Sequence, residues 1–251
     1  MMANSSVRLD KLLVDRGLAP SRERAQALIL AAKVLVNEAR ITKAGQKVLA
    51  DSAIRLEGED IPYVSRGGLK LEHALRFFGA DVRGLVAMDV GASTGGFTDC
   101  LLQNGARRVY AVDVGYGQLA WKLRQDPRVV VLERHNIRGL QAHLVPEPIQ
   151  IATIDASFIS LRLVLPEVCR FLARNAWLIG LIKPQFEAGR EHVGKGGVVR
   201  DQAVHEAVCQ SVSDRCRDLG LTVLGITPSP ILGPKGNREF LLAATSPPIS
   251  G

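Results

Sequence analysis

Cysteine is scarce, with four residues in 251: Cys100, Cys169, Cys209 and Cys216. None forms a Cys-x-x-Cys pair, which disfavours zinc ribbons and thioredoxin-like redox chemistry. Buried free thiols are the expected state. Long apolar runs are missing too. The longest covers residues 176–182, whereas a bilayer span needs roughly 20 residues. The first residues lack the apolar stretch of a secretory signal. The expectation is a cytoplasmic protein without a membrane span. No His/Cys/carboxylate cluster has metal-ligand spacing, so no metal is expected.

Hydrophobic residues make up 47% and charged residues 23%, enough for a packed core. The net charge is +7, and it is unevenly placed. Residues 1–50 carry +5, residues 51–60 carry −3, and the longer remainder carries +5. This pattern divides the chain into a small domain over 7–60, a linker over 61–67 and a larger domain over 68–246. A basic head suits a polyanion; a solvated charged face is the plainer alternative.

In the head, Leu9, Leu12 and Leu13 fall on one helical stripe, and Gly17 is a natural stop. Pro20-Ser21 opens a second helix with Ser21 as N-cap. Its buried stripe is Ala25, Leu28, Ile29 and Ala32. Arg22 and Arg24 occupy its first turn, where they oppose the helix dipole. Stability does not explain that placement, whereas a phosphate ligand would. Residues 34–36, a turn at Asn37-Glu38 and residues 40–41 read as a hairpin, and residues 53–56 as a further strand.

The runs 8–13, 21–25 and 33–37 resemble the S-four-type RNA-binding domain. That resemblance implies contact with structured RNA through Arg8, Arg22, Arg24, Lys33, Lys43 and Lys47. Asn37-Glu38 stands where a glycine is common, which weakens phosphate contact at the turn.

Ser65-Arg66-Gly67-Gly68 forms a hinge, with Arg66 a further RNA candidate. Leu71, Ala74, Leu75 and Phe78 then give a helical face that begins at Lys70. Strands are expected at 85–90, 109–113, 129–132, 151–155 and 176–182. Helices are expected at 96–103, 119–125, 160–172 and 201–219. Two last strands, 221–227 and 239–244, lack an intervening helix. Alternating strand–helix units imply an α/β, mostly parallel sheet with one antiparallel pair. The pattern resembles the Rossmann-like, seven-stranded class I methyltransferase fold.

The turn after the first body strand reads Asp89-Val-Gly91-Ala92-Ser93-Thr-Gly95-Gly96-Phe97. Small residues there let backbone approach a ligand. Ser93 breaks the Gly-x-Gly-x-x-Gly spacing of a pyrophosphate site. The run resembles the S-adenosylmethionine loop of methyltransferases. Asp113 ends the next strand, where a carboxylate accepts ribose hydroxyls. Residues 133–136 flank the base, with no choice among them.

Asp155 and Lys183 end neighbouring strands, and Glu239 begins the last one. With Lys70 they resemble the Lys-Asp-Lys-Glu tetrad of ribose 2′-O-methyltransferases. A 2′-hydroxyl is a weak nucleophile, so Lys183 would deprotonate it or stabilise its alkoxide. Asp155 would orient Lys183 and the cofactor, and Lys70 and Glu239 would position the ribose. The Asp-Pro-Pro-aromatic loop of amine methylases is absent, and no cysteine ends a strand as C5 methylation requires.

The head, the 63–70 junction and the runs 89–99, 153–161 and 181–187 together closely resemble the TlyA family. The resemblance implies methylation of cytidine 2′-hydroxyls in 16S and/or 23S ribosomal RNA. A monomer is expected, and no protein partner is implied. Residues 189–200 would be a mobile substrate loop, or an ordinary flexible one. The family also bears the haemolysin label, so a membrane-lytic protein is the rival from another class. A catalytically inactive RNA-binding protein is the third.

Overall fold

The computed structural model describes residues 6–19, 21–30, 32–57 and 61–248. Pro20 and Asp60, used above to mark a helix start and a domain end, lie outside the described residues. The chain divides into two compact units, Met1–Asp60 and Ile61–Gly251.

In the first unit, helices α1 (Leu9–Asp15) and α2 (Arg22–Leu30) bury Leu9, Leu12, Leu13, Ala25, Leu28 and Ile29. The Ser21 hydroxyl accepts the Arg24 N–H at 3.2 Å, the expected capping contact. Two short sheets complete the unit. Strands β2 (Val34–Val36), β3 (Ala39–Ile41) and β5 (Ile54–Leu56) form one. Asn37 and Glu38 both take positive φ (48° and 63°), as a two-residue turn matching strand twist requires. Strands β1 (Ser6–Arg8) and β4 (Lys47–Leu49) form the other, which sequence patterning missed. Ser6–Arg8 and Lys47–Leu49 are far apart in sequence, so no turn signal joins them.

The second unit begins with α3 (Gly67–Phe78) and carries one seven-stranded sheet. Its parallel strands are β6 (Val86–Val90), β7 (Arg108–Asp113), β8 (Val129–Glu133), β9 (Ile149–Ile154) and β10 (Leu172–Ile182). Strands β11 (Thr222–Pro228) and β12 (Phe240–Thr245) are antiparallel, with β12 inserted between β10 and β11. The order is β11-β12-β10-β9-β6-β7-β8.

Both faces of the sheet are covered. In β6, Val86, Met88 and Val90 join the core on one face and Ala87 the core on the other. In β10, Leu178 and Ile182 alternate in the same way with Ile179 and Leu181. Burial on both faces explains the continuous apolar runs. Helices α6 (Leu161–Cys169) and α8 (Gln202–Asp218), with the single turn α7 (Pro184–Glu187) between them in sequence, lie on the side of the first core, and α3 and α4 (Gly96–Gln103) on that of the second.

Several boundaries differ from expectation, beginning with α3, which starts at Gly67 within the expected hinge rather than at Lys70. The helix expected over 160–172 stops at Cys169, and β10 starts at Leu172 rather than at 176. Exposed Arg174 and Asn175, the latter at φ 55°, shift the β9–β10 register between Leu172 and Trp177 and break the apolar signal. The helix expected over 119–125 is one turn, α5 (Trp121–Arg124). The strand order reverses between β6 and β9, which places a crevice at their carboxyl ends.

Candidate functional site

The turn after β6 is shaped by close approaches. Gly91 has φ 84°, and a Cβ there would lie 2.7 Å from the Asp155 carbonyl oxygen. A Cβ at Gly96 would lie 2.2 Å from Ser65 Oγ. These glycines therefore let the turn sit between the β9 end and the segment before α3. Asp113 ties the turn down. Its Oδ2 accepts the Ser93 N–H and its Oδ1 the Gly115 N–H, both at 2.7 Å.

A cavity of about 590 Å³ opens at the carboxyl ends of β6, β7 and β9. Gly91, Ser93, Asp113 and Asp155 line it, and Val112, Ile137, Ile159 and Val164 form apolar wall. Of the four residues 133–136, His135 and Asn136 reach this wall. Glu133 instead pairs with Arg124, which holds its carboxyl down at about 2. Arg134 lies 4.1 Å over the Tyr116 ring.

A second cavity, about 240 Å³, shares Gly91, Ser93 and Asp155 and adds Ala92, Gly96 and Phe97. Lys70, Arg66 and Gly233 complete its rim. Asp89, Gly95, Lys183 and Glu239 line neither cavity, although Lys183 and Glu239 contact Asp155 and Lys70 respectively, which do. Asp89 is fully buried, accepting from Thr98 Oγ1 at 2.6 Å and Thr153 Oγ1 at 3.2 Å. Its side chain supports the turn from beneath.

The four tetrad candidates form two ion pairs. Lys183 Nζ lies 2.6 Å from Asp155 Oδ1 and donates to Ser157 Oγ at 2.8 Å. Lys70 Nζ lies 2.5 Å from Glu239 Oε2. Lys70, Lys183 and Glu239 are buried. Lys70 and Asp155, one from each pair, line the smaller cavity together. Asp155 follows β9, Lys183 follows β10, and Glu239 precedes β12 by one residue. A Cβ at Gly233 would fall 2.0 Å from Glu239 Oε1, so that glycine makes room for the carboxylate. Ser157 and Gly233 were missed because a lone serine and a loop glycine carry no spacing signal.

All four thiols are free. Burial pushes Cys100 and Cys216 up to about 12 and Cys209 to about 11, and raises Cys169. None is poised as a nucleophile.

In the first unit, Arg22, Lys43 and Lys47 are exposed. Arg8 and Arg22 also bond buried Asp10, whose Oδ2 lies 2.8 and 3.0 Å from them. Asp10 also accepts from Gln26 Nε2 at 2.9 Å. Sequence reading missed this acid, which gives both arginines a structural duty.

The doubly wound sheet, its glycine turn and the two strand-end ion pairs define a class I methyltransferase. Residues 63–246 match the FtsJ-like methyltransferase family and residues 7–54 the S4 domain. The chain belongs to the FtsJ-like methyltransferases of the TlyA type. It is 45% identical to the 16S/23S rRNA (cytidine-2′-O)-methyltransferase TlyA of Mycobacterium tuberculosis, over 94% of this chain and 88% of that one. It is 42% identical to Hemolysin A of Brachyspira hyodysenteriae, over 94% and 98%. A solved Streptococcus thermophilus structure with a provisional hemolysin label shares 44% identity. It covers 99% of this chain and 92% of its own, with a TM-score of 0.76.

Proposed function

We propose that this protein methylates the 2′-hydroxyl of cytidine in ribosomal RNA, using S-adenosylmethionine. The carrying observation is that Lys70 and Asp155, from two separate ion pairs, face one cavity beside the nucleoside-sized one. TlyA of M. tuberculosis, whose name states this activity, supports the reading across nearly the whole chain.

The cavities fit the cofactor. About 590 Å³ with apolar walls and two strand-end carboxylates, Asp113 and Asp155, suits an adenosine. Asp113 keeps acceptor capacity beyond its two backbone bonds, since a carboxylate offers about four lone-pair sites. It would hold the ribose hydroxyls, with Ile137 and Ile159 against the base. When bound, the cofactor supplies an electrophilic methyl on a sulfonium.

The chain's own residues do the rest. Lys183 spends contacts on Asp155 and Ser157, and an ammonium has three donors. The third serves the 2′-oxygen as negative charge develops there and its proton is lost to water at the cavity mouth, which favours alkoxide stabilisation by Lys183. Lys70, fixed by Glu239, presents a second cation at the cavity wall and orients the ribose.

The S4 domain grips structured RNA, so ribosomal subunits or their RNA are the partner. All four charged groups come from one chain, so a monomer suffices. Among the described residues no helix is long and apolar enough to cross a membrane. Ribosomal RNA places the protein in the cytoplasm. The test is mass spectrometry of ribosomal RNA nucleosides after incubation with labelled cofactor. Labelled 2′-O-methylcytidine is expected. Red-cell lysis without RNA methylation would overturn the reading in favour of the lytic rival.

A further inference from the structure

A third cavity, about 430 Å³, lies in the second unit between the 198–202 segment and the loop before β12. Arg200, Lys235 and Arg238 line it with Gln202 and His205, and no carboxylate does. Several other arginines of this unit are paired. Arg83, Arg107, Arg108, Arg124, Arg128, Arg170 and Arg217 all meet carboxylates. Among the described residues, Arg200, Lys235 and Arg238 make no ion pair. Asp201, next in the chain, directs Oδ1 to the Ala203 N–H as the cap of α8. Three unneutralised cations around one concavity repel one another, and an anion relieves that cost.

Two of the cations reach one turn. A Cβ at Gly194 would lie 3.9 Å from Arg200 Nη1, and one at Gly197 would lie 3.8 Å from Lys235 Nζ. That turn is closed by the Gly194–Val198 bridge. It is held to the other loop by Asn237, which is 2% exposed. The Asn237 Oδ1 accepts the Val199 N–H at 3.1 Å, and its Nδ2 donates to the Gly197 carbonyl at 2.9 Å. His205 Nε2 meets the Val199 carbonyl at 3.0 Å. The two loops therefore form a fixed rim.

The same loop also walls the reaction site. Gly233 lines the cavity of Lys70 and Asp155, and Lys235 follows two residues later, within about 7 Å of chain. Arg238 directly precedes Glu239, the partner of Lys70. A strand with its ribose at Lys70 and Lys183 brings its neighbouring phosphates to this rim. We propose that this basic cavity receives a backbone phosphate of the RNA strand beside the target ribose. The proposal rests on the RNA methyltransferase reading. Such a contact positions the strand and carries no base preference.

The test measures binding of the full-length protein to ribosomal RNA across a salt series, with methyl transfer and cofactor calorimetry in parallel. Arg200→Ala, Lys235→Ala and Arg238→Ala are compared singly and combined. Lys235→Glu gives a single-site readout if the combined variant unfolds. Arg174→Ala, an exposed cation at the other end of β10, is the control. The combined variant should lose about tenfold or more in RNA affinity, and its log–log salt slope should flatten by about 1. Cofactor affinity should not change. Unchanged affinity and slope while the wild type still methylates RNA would overturn the phosphate site alone. So would equal losses in Arg174→Ala. A wild type that neither binds nor methylates RNA would overturn both this and the function.

Discussion

Lys70 and Glu239 stand 169 residues apart in sequence, and their charged atoms meet at 2.5 Å inside the second unit. Both are buried, and Glu239 Oε1 has no hydrogen-bond partner among the described residues. Lys70→Ala would leave a bare carboxylate in low dielectric. Such a break costs about 3–5 kcal/mol. Denaturant unfolding of Lys70→Ala should show that loss. Lys70→Ala/Glu239→Ala should recover part of it, because the stranded charge is gone. Equal stability for Lys70→Ala and wild type would refute the buried pair.

Lys183→Ala should cut methyl transfer by at least about 100-fold, the usual cost of losing one donor to a developing oxyanion. RNA affinity should stay nearly intact, since Lys183 is 8% exposed and offers RNA little surface. Single-turnover transfer and filter binding separate the two effects. Wild-type turnover in this variant would remove Lys183 from the chemistry.

Asp113→Ala should weaken cofactor binding about 10- to 100-fold, through a lost charged acceptor and through release of the Ser93 and Gly115 N–H groups. Asp113→Asn retains one acceptor oxygen and should fall between. RNA affinity should not move. Calorimetry giving unchanged cofactor affinity would contradict the role.

The sheet was legible in the sequence because strands buried on both faces read as unbroken apolar runs, as at 86–90 and 151–154. The strand ends were legible for the same reason, since Asp113, Asp155 and Lys183 are charges that stop such runs. The short β1–β4 pair was not, because no tight turn joins two strands that lie far apart in sequence, unlike the Asn37-Glu38 hairpin. Asp10 was hidden because an acid in a helix's first turn looks like ordinary dipole complementation. Its burial and its hold on Arg8, Arg22 and Gln26 depend on α2 folding back onto α1. Asp89 reads as a ligand-loop acid in sequence, and only the sheet register shows that it points into the core.

Asp10 should make the first unit acid-sensitive. Arg8 foremost, then Gln26 and Arg22, hold its carboxyl well below the usual range against the opposing effect of burial. Its folded value lies below the unfolded one, so the stabilisation is complete above about pH 4 and disappears as pH falls through the folded value. Asp10→Ala should abolish cooperative unfolding of this small unit at neutral pH, read by circular dichroism of residues 1–60 expressed alone. Removing residues 1–60 should cost most RNA affinity and leave a folded second unit. Unchanged affinity for ribosomal subunits would contradict the division of labour.

Asp89 predicts the opposite slope for the second unit. Burial, with Asp155 nearby, raises its carboxyl to about 7, although Thr98 and Thr153 hydroxyls partly offset this. Between about pH 4 and pH 7 the folded state binds a proton that the unfolded state has released. Stability therefore falls as pH rises through that window. A shift of about three pH units corresponds to roughly 4 kcal/mol at most. Asp89→Asn cannot ionise, so it should flatten the slope and be more stable than wild type at pH 8. Its side chain lines neither cavity, so cofactor affinity should be preserved. Denaturant unfolding of residues 61–251 at pH 5 and pH 8 checks the first claim, and calorimetry the second. Parallel stability curves for the two proteins would show that Asp89 is ionised throughout, while lost cofactor affinity would return it to the binding surface.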